Sequence, residues 1–160
     1  MEIVEFSNKY DEDVKDLLVE LQEYIISIDK YHLNIISSKY REMYFKKTLQ
    51  LISKSNGKIY LAVEDNKAIG MIAGYIEKYD KYDLIDYICP KKGIVEELIV
   101  TSSTRAKGVG EQLLFKMEKY FKDNNCEFCQ VDVFSYNEIG KNFYKKHSFE
   151  NRMETMFKKL

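Results

Sequence analysis

The residues whose types and spacing could do chemistry together lie in the stretch GIVEELIVTSSTRAKGVGEQLLFKMEKYF, from Gly93 to Phe121. Within it, Arg105-Ala106-Lys107-Gly108-Val109-Gly110-Glu111 sets two cations and two glycines just ahead of Leu113, Leu114, Met117 and Phe121, which recur at helical spacing. A helix start leaves backbone N–H groups without intrahelical partners and carries the positive end of the macrodipole. Gly108 and Gly110 permit close approach, while Arg105 and Lys107 add full charges. The chemistry is anion binding, with a pyrophosphate as the natural guest. The loop is not a Walker A motif, because Gly110 is followed by Glu111-Gln112 and not by Lys and Ser or Thr. It lacks the third glycine of the dinucleotide fingerprint.

Two elements must position that loop. Ile94, Val95, Leu98, Ile99 and Val100 read as a buried strand before it, broken by the hydroxyl residues Thr101 to Thr104. The amphipathic helix follows. Elsewhere the chain reads as a strand over 2–6, a helix capped by Asp11 and running to about Asp29, and a second helix from Ser37 or Ser38 to about Lys54. Strands over 58–64 and 68–77 are joined by a tight turn at Asp65-Asn66-Lys67. An irregular segment over 78–92 interleaves Asp80, Asp83 and Asp86 with Tyr79, Tyr82 and Tyr87. Such a rim could draw in a cationic amine by charge and cation–π contact, or simply cover the core. After the organising helix come a strand over 127–134, a short helix over 137–146 and a last strand over 149–158. The order β-α-α-β-β-β-α-β-α-β implies an α/β fold: a mixed sheet with helices on both faces, in a single domain over 1–160.

Arg105-x-x-Gly108-x-Gly110, after VEELIV and before an amphipathic helix, resembles the acyl-CoA pyrophosphate loop of the GNAT superfamily of N-acetyltransferases. A second block agrees: Asn137, Phe143-Tyr144 and Phe149 in NEIGKNFYKKHSF, with Ser148 where the family usually has glycine. The resemblance implies a mostly antiparallel central sheet whose fourth and fifth strands splay apart around the cofactor. It also implies acetyl-CoA as cosubstrate, no metal, and a homodimer. Cofactor contacts then fall on Leu98, Ile99, Val100, the loop from Arg105 to Glu111, Asn137 and Tyr144. A bulge on the family's strand frees backbone N–H groups for the thioester carbonyl, at the positions of Leu98 to Val100.

Acetyl transfer to an amine needs three things: deprotonation of the amine, a stabilised oxyanion and a protonated leaving thiolate. An alkyl amine with a pKa of about 10.4 is almost wholly protonated near neutrality, so a base is useful. Glu96 and Glu97 are the acids of the organising strand, and regular alternation sends their side chains to opposite faces. One of the two can face a cleft. By resemblance to polyamine-type GNAT enzymes, Glu96 is the base or water-orienting residue. Tyr144 is the general acid for the thiolate, while Phe143 falls on the core side of the same helix. Asn137 caps that helix and, in the family, contacts the pantetheine arm. The expected activity is direct transfer of an acetyl group to a primary amine of a small molecule or polyamine-like acceptor. The same loop would also serve a CoA-binding module without catalysis, or an enzyme that modifies protein amino groups.

Composition narrows the classes. With 25 basic and 26 acidic residues among 160, the net charge of −1 gives no reason to expect a nucleic-acid or membrane surface. No apolar run is long enough to span a bilayer, and the acidic N-terminus has no signal-peptide pattern. Three cysteines without such a signal point to a reducing cytoplasm. Cys126-x-x-Cys129 has no second ligand pair and sits at a strand start, so neither metal nor redox chemistry is expected of it.

Overall fold

The computed structural model describes residues 1–104 and 107–160. Among them five strands form one sheet, in the order β1-β2-β3-β4-β5. β1 (Glu2–Glu5), β2 (Lys58–Glu64), β3 (Lys67–Ile76) and β4 (Lys92–Val100) are antiparallel neighbours. β5 (Phe128–Val131) joins β4 in parallel, because the chain crosses over through a helix between them. The helices are α1 (Asp11–Ile28), α2 (Tyr40–Lys54), α3 (Val109–Asp123) and α4 (Glu138–Lys146).

Strand alternation divides the sheet between two cores. On one face Val14, Leu17, Leu18, Phe45 and Ile52 of α1 and α2 pack on Leu61, Met71 and Ile99. On the other, Leu113, Leu114, Met117 and Phe121 of α3 pack on Tyr60, Ala62, Ile72 and Val95. Leu113, Leu114 and Met117 are wholly buried, each stabilising the docked helix by roughly 2 kcal/mol. The start of α3 is therefore held at a fixed place against the sheet.

Asp65 and Asn66 both adopt positive φ, 50° and 62°, as a two-residue turn between β2 and β3 demands. Asp11 is the first residue of α1 and not its cap, and α2 starts after Lys39 without a side-chain cap. Asp13 instead accepts the Ala68 N–H at 2.9 Å, tying α1 to the start of β3.

Three departures from the sequence reading matter for the site. β4 carries an extra residue against β3: Ala73 pairs with Glu97, but Gly74 pairs with Val95, so Glu96 is bulged out. β5 ends at Val131, and β4 continues to Val100 without it. The last strand expected over 149–158 is not formed. Its apolar residues Phe149, Met153, Met156 and Phe157 do not recur at the strand period of two, and among the described residues the segment pairs with no strand of the sheet. Beyond Phe149 it runs exposed along the surface, where the Tyr31 phenol donates to the Phe157 carbonyl at 3.0 Å.

Candidate active site

β4 and β5 pair through Gly93–Cys129, Ile94–Gln130 and Val95–Val131, then part. The parting point coincides with the bulge on β4. Gly93 and Val95 face α3 or its core, and Leu98 and Val100 do so again beyond the bulge. The alternation has slipped by one residue. Glu96 and Glu97 therefore do not diverge to opposite faces, as regular alternation requires; both line one cleft of about 380 Å³, on the α2 side of the sheet. The other residues around it include Tyr44, Tyr75, Glu77, Gln130 and Asp132.

Glu97 is buried and accepts a hydrogen bond of 2.5 Å from the Tyr44 hydroxyl. Burial pushes its carboxyl up, to about 7. The Tyr44 bond opposes that rise, the Glu96 charge adds to it and Lys47 opposes it. Glu96 is half-buried beside it. Two carboxylates that share a cleft and differ in exposure are suited to different tasks: the buried one to holding a proton near neutrality, the other to meeting a cation.

The backbone next to the bulge is polarised toward the opening. Thr101 N–H donates to the Ile69 carbonyl on β3, so antiparallel alternation directs the Ile99 N–H to β3 as well. The N–H groups of Leu98 and Val100 point to the side that β5 has left. Ile99 is accordingly buried core, with its amide in the β3 ladder, whereas Leu98 and Val100 are half-buried at the opening.

Gly108 precedes α3 with φ 74°, and no heavy atom lies within 4 Å of where its Cβ would be. Among the described residues no side-chain hydrogen bond caps the helix there, where the first-turn amides have no intrahelical partner. Val109 is buried, anchoring the turn, and Lys107 is exposed. A Cβ at Gly110 would be 3.6 Å from the Phe143 ring, which packs the α3 start on α4. Glu111 Oε1 is 3.9 Å from His147 Nε2. Arg105 and Ala106 lie outside the described residues.

Asn137 caps α4 as expected: its Oδ1 accepts the Gly140 N–H at 2.8 Å and the Tyr24 hydroxyl at 3.0 Å, joining α1 to α4. Tyr144 is more buried than Phe143, the reverse of the expected order. Its ring meets Phe143 and Phe149 edge-on, at 5.2 and 5.3 Å. Burial raises the pKa of its phenol, and the Cys129 thiol and Glu97 carboxylate are near enough to raise it further. That environment keeps the proton on Tyr144.

Of the two readings of the 78–92 segment, an amine-attracting rim or a cover over the core, Tyr79 and Tyr87 meet a cation of the chain itself. Lys92 Nζ lies 5.8 Å from the ring centres of both Tyr79 and Tyr87, and bonds Glu77 at 2.8 Å and Gln130 at 2.9 Å. The Asp80 carboxylate accepts the Tyr82 and Asp83 amides, and Asp83 accepts the Asp80 amide. Of these residues Glu77 and Gln130 line the cleft. Burial pushes the Cys129 thiol up to about 12, a poor nucleophile. Among the described residues no group of three or more His, Cys, Asp or Glu could hold a metal ion, and no helix is long and apolar enough to cross a membrane. A second opening of similar volume, between α2 and β1–β2, is lined by Leu49, Ile52 and Ile59 and lacks a carboxylate pair.

Sequence reasoning missed Tyr44, Tyr75, Gln130 and Asp132. The last two were visible as polar residues inside an apolar strand pattern. Tyr44 carried no local signal, because its partner is 53 residues away.

The site thus combines a glycine-led helix start, a bulged strand and the parting of β4 from β5. The chain belongs to the GNAT family of acetyltransferases: the model described as "Acetyltransferase (GNAT) family" matches residues 21–149. Solved structures of the same fold include the BH1408 protein of Bacillus halodurans, with a TM-score of 0.87 at 17% identity over 100% of this chain and 99% of that one. The aminoglycoside N-acetyltransferase AAC(6')-Iy in complex with CoA gives 0.70 at 18% identity, covering 99% of this chain and 98% of that one. The aminoglycoside antibiotic 6'-N-acetyltransferase AAC(6')-IG from Acinetobacter haemolyticus gives 0.73 at 19%, over 100% and 98%.

Proposed function

We propose that this acetyltransferase moves an acetyl group from acetyl-CoA to a primary amine of a small, cationic or polyamine-like acceptor by direct attack. The observation that carries the reading is the bulge at Glu96, which sets two carboxylates in one cleft where β4 and β5 part. The pyrophosphate meets Lys107 and the amides from Gly108 to Glu111, with Arg105 and Ala106 completing the loop in sequence. Asn137 contacts the pantetheine arm. The Leu98 and Val100 amides donate to the thioester oxygen. A CoA-bearing structure among the same-fold aminoglycoside acetyltransferases supports both the donor and a small-molecule amine acceptor.

Glu97 takes the proton from the ammonium, and Glu96 orients the incoming amine or its water. The nitrogen lone pair then attacks the carbonyl carbon, and the oxyanion collapses with loss of the C–S bond. The thiolate takes the Tyr144 proton. Glu77 and Asp132 add negative charge to the cleft, which favours a cationic acceptor.

The test is thiol release from acetyl-CoA with a panel of primary amines, for wild type, Glu97→Gln, Glu96→Gln and Tyr144→Phe. Glu97→Gln should lose about 100-fold or more in kcat, and Tyr144→Phe about 10-fold or more, with acetyl-CoA affinity kept in both. Glu96→Gln should mainly raise KM for the amine. Equal, small effects of all three would sink the assignment.

A further inference from the structure

Glu97 is an improbable residue for its position on packing grounds alone. It occupies the sheet face that α2 covers, where its β4 neighbour on that face, Ile99, is core. A buried carboxylate there costs several kcal/mol unless a donor reaches it. The donor that reaches it is Tyr44, from the second turn of α2. Its ring is held from several sides. Tyr40, one helical turn earlier, stacks on it at 4.8 Å with the planes 14° apart. Lys47 Nζ stands 4.9 Å from the ring centre. The Tyr40 hydroxyl in turn reaches the Leu18 carbonyl on α1 at 3.5 Å. The phenol is thus aimed by the α1–α2 layer, and its bond to Oε1 of Glu97 is 2.5 Å long.

We propose that Tyr44 is the positioning residue of this site: its phenol holds Oε1 of Glu97, leaving Oε2 to face the cleft and take the amine proton. This inference rests on the acetyltransferase reading above. It gives α2 a function beyond packing, since the helix sets the orientation and ionisation of the base from outside the strand that carries it. Removing the hydroxyl leaves the carboxylate buried with less to stabilise its charge. The groups facing Glu97 are Glu96 on β4, Tyr40, Tyr44 and Lys47 on α2, and Tyr144 on α4, with Tyr75 on β3 near Glu96 and the carboxylates of Glu77 and Asp132 lining the same cleft. Burial pushes all four phenols up, so they stay protonated through the neutral range. Loss of the Tyr44 hydroxyl therefore moves the Glu97 titration upward without a rival group taking its place.

The experiment uses the full chain with Tyr44→Phe, which keeps the ring and removes only the hydroxyl. Two readouts are needed. The first is kcat/KM against pH, from about pH 5 to about pH 9, with acetyl-CoA and the best amine of the panel. The acid limb should move up by about one pH unit, a loss approaching 10-fold below neutrality that is regained at the alkaline end. The second is the NMR titration of carboxyl-labelled glutamates, with Glu97 assigned by its absence in Glu97→Gln. Its midpoint should rise by a similar amount. A midpoint that stays put, or a rate loss that is uniform across pH, overturns the proposal. So does a shifted midpoint with an unmoved acid limb. A wild type that acetylates no amine overturns the acetyltransferase reading itself; the glutamate titration, read without turnover, tells that failure apart from a missing Tyr44–Glu97 bond.

Discussion

In the proposed function the recognition groups at the start of α3 are main-chain amides on consecutive residues. At the β4 bulge they are side chains drawn from α2, the β3 end, β4, and β5 with the residue that follows it. The first region is specified by a short run of sequence, and it is held in place by helix burial some turns away. The second exists only when four separate segments are assembled. The first should tolerate changes of side-chain chemistry and fail on added bulk. The second should fail on the loss of one polar atom.

Gly108 gives the largest expected contrast. Gly108→Trp should lower acetyl-CoA affinity about 100-fold or more, because the indole fills space that is open above the helix start. Gly108→Ala carries the same left-handed strain, about 1–2 kcal/mol, but its methyl meets nothing within 4 Å. It should bind within about 10-fold of wild type. Calorimetric titration compares the two; equal losses would assign the effect to backbone angle and not to occupied space.

The cleft predicts a dependence on pH that the helix start does not. Glu97 has a folded-state pKa raised to about 7 from an ordinary value of 4.5. Between those values the native state binds more protons than the unfolded one, so this group's contribution to stability falls as pH rises. Glu97→Gln removes that slope. Relative to wild type, the variant should gain up to about 3 kcal/mol as pH is raised through this window, in urea unfolding at several pH values. A constant difference between the two proteins would mean that Glu97 is not raised in the native state.

The smallest effect tests the turn after α4. Ser148 adopts φ 64°, the conformation a glycine favours, and the Phe149 N–H closes the helix end on the Tyr144 carbonyl. Ser148→Gly should stabilise the fold by roughly 0.5–1 kcal/mol, with kcat unchanged. A destabilised variant would indicate that the serine side chain holds a contact worth more than the strain.

Much of the local structure around the candidate site was legible because its signals are local. Gly108, Gly110 and the following amphipathic run identify a helix start from a few residues, and Asn137 caps α4 three residues ahead of its acceptor's partner amide, Gly140. The order of elements through α4 followed from periodicity in the same way. The segment over 149–158 departs from its expected strand for the complementary reason: its apolar residues at 149, 153, 156 and 157 carry no period of two, and pairing depends on an edge and a covering layer elsewhere in the molecule.

The sequence by itself determined the two cores, the hairpin at Asp65-Asn66 and the glycine-led turn into α3, since backbone preference and side-chain period act over a few residues. Only the tertiary structure decided the facing of Glu96 and Glu97, because one extra residue between β3 partners reverses an alternation that the sequence presents as regular. It also decided that Lys92 occupies the Tyr79–Tyr87 rings and that Tyr44 meets Glu97. Those contacts join residues far apart in the chain, and their energies depend on burial, which no local pattern encodes.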